Sequence, residues 1–316
     1  MADSIRSAFP AVSRLRLFLA LSRTLHGSLD MAAPFVGALL CLGGLPSLRT
    51  GIVGAITVFA GYTAVYALND LVGFRLDRDK LRLQSHRDQD DPAYLDAALM
   101  RHPLAQGALS YREALVWTLF WAVLAVLGAW SLNPLCVVVF VGAILLEILY
   151  CLLFKVTPLR TLVNGAVKTA GPLAGVLAVD PSPSAIFLGL LLGCFLLWEV
   201  GGQNIPADWT DLDTDRSLAA RTIPVVFGIK TAARISLASL AGAYALSLFL
   251  FVLSPLAAPW WLVAALAGVG CLLLLVPVIR LMINSCTNNA MHLFNRASLW
   301  PLSLLLLALL GILTPA

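Results

Sequence analysis

The sequence predicts an all-α, polytopic integral membrane protein. Of the 316 residues, 60% are hydrophobic and only 12% are charged, and the mean hydropathy of +0.89 lies well above that of soluble globular domains. Apolar windows long enough to cross a bilayer as a helix recur along the whole chain, which predicts about nine transmembrane helices. We expect them to form a single membrane domain over residues 1–316.

Each predicted span is a predominantly apolar run that ends at a polar, glycine or proline connector. In chain order the spans are Leu17–Leu45, Ile52–Leu68, Ala114–Trp130, Leu135–Phe154, Leu162–Val179, Ala185–Val200, Ile235–Leu253, Trp260–Ile283 and Met291–Leu313. Spans 3 and 4 are separated only by Ser131–Pro134, and spans 5 and 6 only by Asp180–Ser184. Long polar loops, Arg75–Arg112 and Asp208–Arg234, follow spans 2 and 6.

The basic residues predict the orientation of these spans, because cytoplasmic loops carry an excess of Lys and Arg. Arg49 alone falls on the far side of the membrane; the other Lys and Arg residues lie in the N-terminus, in the long loops, in Lys155–Arg160, or near one end of a span. We therefore expect the N-terminus (1–16) and both long loops (75–112 and 208–234) to be cytoplasmic. Span 1 is too long for the apolar core of a signal peptide, and we expect none.

Polar residues inside the spans occur at a consistent depth, in the half predicted to be cytoplasmic. They are His26, Asp30, Glu147, Lys168, Glu199, Arg280, His292, Asn295 and Arg296. Such residues usually face a protein interior or a wet cavity, which predicts a polar vestibule open to the cytoplasm. The alternative is that they pair with one another between helices.

The end of span 2 carries the first acidic cluster. Asn69, Gly73 and Asp77 are spaced i, i+4, i+8 and share one helical face, with Asp70 on the same side. Span 6 leads into a second polar stripe at positions 204, 208, 211 and 215.

This second stripe consists of Asn204, Asp208, Asp211 and Asp215, with Asp213 directed elsewhere. Several carboxylates on neighbouring helical turns repel one another unless a cation neutralises them, and oxygen ligands without His or Cys suit Mg²⁺. The two clusters therefore predict Mg²⁺ held against a diphosphate. A single cluster would also fit a solvated helix end with water-facing acids. Because spans 2 and 6 are four apart, an internal duplication of a four-helix unit plus a ninth helix is also suggested.

A diphosphate needs cations from the protein as well as metal. The candidates are Arg78, Arg101, Arg216, Arg221 and Lys155. The alternative for each of them alone is the commoner one, an ordinary positive-inside residue.

With these motifs, the chain resembles the UbiA superfamily of intramembrane prenyltransferases over nearly its whole length. The first motif of that family, NDxxDxxxD, is similar to the run from Asn69 to Asp77. Its second motif, DxxDxxxD with a following Arg and a Thr-(Leu/Ile)-Pro-Val-x-x-Gly tail, is similar to Asp208–Arg216 and Thr222–Gly228.

The resemblance implies nine helices around a cavity that also opens to the bilayer. It also implies a prenyl diphosphate bound through Mg²⁺ between the motifs, ionisation to an allylic cation, and transfer of the prenyl group to an aromatic or lipid acceptor. The implied metal or phosphate ligands are Asn69, Asp77, Asp211 and Asp215, with Asp70 and Asp208 close by as further catalytic residues. We expect membrane lipid, and no nucleic acid, among the partners.

Aromatic faces can stabilise a carbocation, and the candidates are Tyr150, Trp198 and Trp209. Asp70, Asp208 or Glu199 could be the base that activates the acceptor. Together with Asn204, the side chains of Tyr150 and Glu199 are expected to face the cavity.

Gly73 departs from the family pattern, because it stands where the first motif has its middle aspartate. This departure raises an alternative, a UbiA-type terpene cyclase that acts on the same prenyl diphosphate. A more remote alternative is a transporter or lipid-binding membrane protein, which the suggested duplication and the vestibule would permit.

Overall fold

The computed structural model describes residues 13–83 and 100–314, and within these ranges the chain is helical and has no β-strand. The helices are α1 (Arg14–Leu21), α2 (Thr24–Asp30), α3 (Ala32–Leu42), α4 (Leu48–Leu83), α5 (Tyr111–Leu132), α6 (Pro134–Leu152), α7 (Arg160–Leu177), α8 (Ala185–Trp198), α9 (Ile205–Thr210), α10 (Leu212–Ser217), α11 (Ile223–Phe227), α12 (Ile229–Leu253), α13 (Trp260–Gly270), α14 (Val276–Ile283), α15 (Thr287–Ser298) and α16 (Trp300–Leu313). Predictions for residues 1–12 and for 84–99, in the first long loop, lie outside the described residues.

Eight helical segments within 13–83 and 100–314 are long and apolar enough to cross a membrane. They correspond to predicted spans 1–4 and 6–9, so the predicted all-α, polytopic membrane fold is confirmed. The fifth predicted span corresponds to α7, which is not among the eight because Arg160, Asn164 and Lys168 lower its hydropathy. The predicted number of nine is therefore approximate.

Span 2 is much longer than predicted, since α4 runs unbroken through 36 residues. At 1.5 Å per residue it is about 54 Å long. The prediction that a loop begins at Arg75 was wrong, because the segment up to Leu83 is made of good helix formers and continues the helix. The whole first motif consequently lies on one rigid element.

The second predicted loop, 208–234, is also largely helical and contains α10, α11 and the start of α12. Pro224 lies in the first turn of α11, and Pro206 lies in the first turn of α9, just before this loop. Proline is favoured at this position of a helix. Gly228, with φ of 77°, separates α11 from α12.

Predicted span 1 is broken into three helices rather than one. Arg23 has a left-handed backbone conformation, with φ of 43°, between α1 and α2. Met31 separates α2 from α3, and Gly43 ends α3 with φ of 62°. The break at Arg23 turns its side chain toward the end of α4, where the first motif lies.

Small residues allow α3 and α7 to approach closely, as is common between membrane helices. A Cβ atom on Gly37 would lie 2.6 Å from the carbonyl oxygen of Pro172, and a Cβ on Gly175 would overlap the carbonyl group of Pro34. These contacts hold the two helices along one wall of the central cavity.

A π-helical segment, Glu199–Asn204, joins α8 to α9. It packs tightly, because a Cβ on Gly201 would lie 2.8 Å from the carbonyl oxygen of Ser236 in α12, and a Cβ on Gly202 would lie 2.8 Å from Cβ of Ala297 in α15. Segments of this kind are frequent at functional sites, and this one leads directly into the second motif.

Candidate functional site

A cavity of about 420 Å³ lies among the helices, within the usual size range of ligand pockets. Its polar part is lined by residues of both acidic motifs, including Asn69, Asp77, Asp208 and Asp211. Its apolar part is lined by Pro34, Phe35, Gly54, Val58, Gly61, Val139 and Phe140. The cavity therefore suits a ligand with a charged head and an apolar tail.

The polar side chains of the first motif contact two basic side chains, and Asn69 and Asp77 also line the cavity. Asp70 is 2% exposed and lies 3.4 Å from both Arg23 Nη2 and His102 Nδ1. Asp77 lies 3.3 Å from the same nitrogen of His102. Asn69 Oδ1 accepts a hydrogen bond of 3.4 Å from Arg23. The shared face predicted for these positions is therefore reproduced.

Arg23 and His102 share an uncommon backbone conformation. Both are non-glycine residues with positive φ, 43° and 48°, and both contact Asp70. Such strain clusters at functional sites. Burial alone would lower the pKa of His102, but the carboxylates of Asp77 and Asp70 outweigh burial and raise it to about 9.

The second motif is held by two basic side chains that come from elsewhere in the chain. Asp208 accepts a hydrogen bond of 3.3 Å from Arg160. Lys80 Nζ lies 3.0 Å from Asp211 Oδ2 and 2.9 Å from Asp215 Oδ1. Burial opposes ionisation of Asp211, but Lys80 and then Arg101 lower the pKa of its carboxyl group below the usual value.

Arg160 lines the cavity next to the second motif, where it contacts Asp208. Its guanidinium carbon lies 4.1 Å from the ring centroid of Tyr150 and 4.9 Å from that of Phe154. The residue is 5% exposed, and its Nε has no hydrogen-bond partner among the described residues. Sequence reasoning missed Arg160; the available signal was an arginine at the very start of an apolar span.

Of the five predicted diphosphate-binding residues, the cavity lining includes Arg101. Arg78 lies over the ring of Phe74, at 5.4 Å, and Arg216 pairs at 3.5 Å with Asp213. The other two predicted residues, Lys155 and Arg221, are exposed and do not line the described cavity.

The basic residues that line the cavity beside Arg101 are therefore different from those predicted. They are Arg23, Lys80, Arg160 and Lys168. Positive-inside residues outnumber true ligands in the sequence, so the choice among them depends on tertiary contacts.

Four of the residues predicted to form a polar vestibule line the cavity, and several pair with one another. Those in the cavity lining are His26, Glu147, Lys168 and Glu199, whereas the lining does not include Asp30, Arg280, His292, Asn295 or Arg296. Lys168 donates to Asp30 and to the hydroxyl of Tyr66, and Tyr66 donates to Asp30 at 2.5 Å. Glu147 accepts a hydrogen bond from Asn69. The two sequence-based alternatives for these residues are thus compatible.

The remaining predicted cavity residues also lie in its wall. Glu199 accepts a hydrogen bond of 2.7 Å from Asn164, and Asn204 donates at 3.2 Å to the hydroxyl of Tyr150. Of the aromatic candidates, Tyr150 lines the cavity. Trp198 and Trp209 instead pack in the hydrophobic core, where they are 1% and 3% exposed.

The donor set at the first motif fits a divalent cation. Ligand atoms of Asp70, Asp77 and His102 lie within 4.8 Å of one another, and Asn69 adds an amide oxygen. Two carboxylates, of which Asp77 lines the cavity, match the ligands of Mg²⁺, which keeps several waters. At the second motif the carboxylates instead contact Lys80 and Arg160.

Curated proteins of known name are similar to this chain in sequence. A digeranylgeranylglyceryl phosphate synthase of Thermococcus sibiricus is 27% identical over 222 residues, which cover 70% of this chain and 72% of the relative. A 4-hydroxybenzoate octaprenyltransferase of Tolumonas auensis is 26% identical over 204 residues, which cover 64% of this chain and 65% of the relative.

Solved structures share the fold. The apo structure of a UbiA homologue from Aeropyrum pernix K1 has a TM-score of 0.69 at 23% identity, covering 91% of this chain and 97% of that one. A UbiA homologue from Archaeoglobus fulgidus bound to DMAPP and Mg²⁺ has a TM-score of 0.65 at 19% identity, covering 94% and 99%. The UbiA prenyltransferase family model matches residues 31–300. The resemblance seen in the sequence is thereby confirmed, and the chain belongs to the UbiA prenyltransferase family.

Proposed function

We propose that this protein is a membrane-embedded, Mg²⁺-dependent prenyltransferase that ionises a prenyl diphosphate and transfers the prenyl group to an aromatic or lipid acceptor. The observation that carries the proposal is a cavity with an apolar part and a polar part, the latter bordered by both acidic motifs. Relatives named for an octaprenyl transfer to 4-hydroxybenzoate and for the synthesis of a lipid phosphate support both acceptor classes.

The polar part of the cavity would hold the diphosphate. Arg160 offers an Nε donor without a partner among the described residues, and Arg101 and Lys80 line the same space. Asn69, Asp70 and Asp77 would hold Mg²⁺, which when bound neutralises charge on the diphosphate oxygens. The apolar part would exclude water from the prenyl chain.

Ionisation breaks the bond between the first prenyl carbon and the diphosphate oxygen, and both electrons leave with the oxygen. Fixed positive charge at this oxygen lowers the barrier most in a water-poor site. Tyr150 lines the cavity, and its ring would stabilise the allylic cation. An acceptor carbon or oxygen then forms the new bond and releases a proton.

Glu199 is the best placed of the three candidate bases. Asp70 and Asp208 are each within 3.4 Å of a basic side chain. The Oε2 atom of Glu199 is buried and has no hydrogen-bond partner among residues 13–83 and 100–314. It is therefore available to accept the proton of an acceptor.

The variant Asp77→Asn tests the proposal. We expect loss of Mg²⁺-dependent diphosphate release by about 100-fold or more, since electrostatic groups at such sites contribute this much. Asp79→Asn is a matched control on the same helix, because Asp79 is half-exposed and pairs with Arg82. Full activity in folded Asp77→Asn protein would refute the proposal.

A terpene cyclase is the second candidate function, since Gly73 stands where the first motif of the family has its middle acid. Purified protein incubated with Mg²⁺ and geranyl, farnesyl or geranylgeranyl diphosphate, without an acceptor, separates the two. A cyclic hydrocarbon or alcohol would identify a cyclase. A transporter or lipid-binding protein would release no diphosphate from any of them, with or without acceptor.

We also propose that the whole chain, 1–316, is one membrane domain with its N-terminus and both acidic motifs on the cytoplasmic side. The distribution of Lys and Arg supports this orientation. Single cysteines introduced at exposed Lys155 and at Arg49 provide a test in inside-out and right-side-out vesicles. Labelling of position 155 by an impermeant thiol reagent only in inside-out vesicles, and of position 49 only in right-side-out vesicles, is expected.

A further inference from the structure

Lys80 lies between two acids of the second motif. Its Nζ contacts Asp211 Oδ2 at 3.0 Å and Asp215 Oδ1 at 2.9 Å. The same nitrogen lies 5.0 Å from the ring centroid of Phe154. The Lys80 side chain is only 16% exposed, so the ammonium group is fixed from three sides.

A metal ion that bridged Asp211 and Asp215 would have to occupy the space of this nitrogen. The Asp215 side chain is 0% exposed. Because Mg²⁺ gives up its waters reluctantly and keeps several of them in protein sites, a fully buried carboxylate that already pairs with an ammonium is a poor ligand for it. The second motif thus already contains its counter-cation.

The first motif carries less acidic charge than the second. Gly73 removes one acid from it, and a Cβ at this position would lie 3.1 Å from Asp77 Oδ2. Of the remaining acids, Asp77 lines the cavity and Asp70 is buried. Their ligand atoms form a cluster with His102 that suits a single divalent ion. Arg23 and His102 lie 3.3–3.4 Å from these acids, a longer distance than the 2.9–3.0 Å between Lys80 and the acids of the second motif. The first motif has thus lost an acid, and the second contains the closer cation.

We propose that the Lys80 ammonium is the permanent cation of the second motif and that this chain binds a single Mg²⁺, at the first motif. Lys80 follows Asp77 by three residues on α4, so the two side chains are neighbours one helical turn apart. The metal and the ammonium then flank the same space in the cavity.

Lys80 can serve a diphosphate directly, and this role rests on the proposed function. An ammonium group has three N–H donors. One is donated to Asp211 Oδ2, and Asp215 lies within ion-pair distance. Because Lys80 also lines the cavity, a further N–H would be donated to an oxygen of the leaving group. Breaking the carbon–oxygen bond leaves the electron pair on that oxygen, which the ammonium stabilises without transferring its proton.

The number of bound divalent ions tests the inference without measuring activity. Mn²⁺ is titrated into purified protein in detergent, and the free ion is measured by electron paramagnetic resonance. We expect one bound Mn²⁺ per wild-type chain, none in Asp77→Asn, and an unchanged count in Asp211→Asn. Two ions or none in the wild type, or loss of the ion in Asp211→Asn, would overturn the proposal.

Replacing the lysine should create the missing site. Lys80→Met is expected to bind a second Mn²⁺, the double variant Lys80→Met/Asp211→Asn to bind one, and Lys230→Met, which changes an exposed lysine, to bind one. A folded Lys80→Met protein with a single ion would contradict the inference. The wild-type, Asp77→Asn and Asp211→Asn counts decide the question even where Lys80→Met fails to fold.

Turnover measured in parallel separates this inference from the proposed function. One bound ion at Asp77 with no turnover of any prenyl diphosphate would refute the prenyltransferase and leave the cation assignment intact. Two bound ions in an active wild-type enzyme would refute the role of Lys80 and leave the prenyltransferase intact.

Discussion

Arg160→Leu is the substitution that best tests how the cavity binds a diphosphate. Arg160 lies in the cavity with a side chain that is 6% exposed, contacts Asp208, and stacks over Tyr150 and Phe154. Arg216, by contrast, has a 56% exposed side chain and pairs with another acid of the same region. The two arginines are thus matched in chemistry and differ in their access to the cavity.

The expected loss follows from the hydrogen bonds that the guanidinium makes to charged groups. Each such bond contributes about 1.5–3 kcal/mol, and about 1.4 kcal/mol corresponds to a factor of ten. One lost bond to the diphosphate should therefore lower kcat/KM by about 10- to 150-fold. An exposed pair such as that of Arg216 contributes about 0–1 kcal/mol, so Arg216→Leu should lower kcat/KM by less than about fivefold.

Initial rates of diphosphate release are measured for both variants over a range of prenyl diphosphate concentrations. Removing one partner of a buried ion pair also destabilises the fold, so rates are normalised to the monodisperse folded fraction. Equal losses in Arg160→Leu and Arg216→Leu would refute the assignment of Arg160 to the diphosphate. So would a folded Arg160→Leu enzyme with unchanged kcat/KM.

Two further substitutions examine the apolar part of the cavity and its wall. Gly54 lines the cavity about 22 Å along α4 from Asn69, at 1.5 Å per residue, and a Cβ there meets open space. Gly54→Phe should therefore reduce turnover of geranylgeranyl diphosphate more than turnover of dimethylallyl diphosphate, as measured by competition between the two substrates and mass spectrometry. Equal effects on both substrates would contradict this expectation. Gly175→Ala should lower the Tm because the added Cβ overlaps Pro34, an overpacking cost of about 1–3 kcal/mol. Gly142→Ala is the control and should leave the Tm unchanged, because its Cβ meets no neighbour. An unchanged Tm in Gly175→Ala would show that the helices can separate without cost.

Local periodicity was sufficient to predict much of the fold and the shared face of the first motif. The 3.6-residue repeat places Asn69, Gly73 and Asp77 on one side of any helix, and all three line the cavity of the structure. The apolar windows likewise locate the spans, because burial in a bilayer requires a minimum helix length. Both inferences depend only on neighbours in sequence.

The partners of the acids could not be predicted in the same way. Lys80 lies 131 residues from Asp211, and Arg160 lies 48 residues from Asp208. No helical period relates such positions, and in the sequence both basic residues resemble the many others that mark a cytoplasmic flank. Their roles follow only from how α4 and α7 pack beside the second motif.

The breaks within helices could not be predicted from the sequence either, since they depend on tertiary packing. Arg23 and His102 hold left-handed backbones that glycine would ordinarily supply. Each contacts Asp70 from a different segment of the chain. These contacts join distant segments of the chain, and no local pattern of the sequence indicates them.

The π-helical segment between α8 and α9 determines how α9 is rotated about its axis. One residue added to or removed from a helix rotates the downstream side chains by about 100° around the axis, at 3.6 residues per turn. Deleting a single residue from Glu199–Asn204 would therefore turn Asp208 away from the cavity while leaving every amino acid of the second motif intact. The length of this segment thus determines the direction in which the side chains of the motif point. We expect activity to fall far more on insertion or deletion of a residue in the segment than on replacement of its side chains.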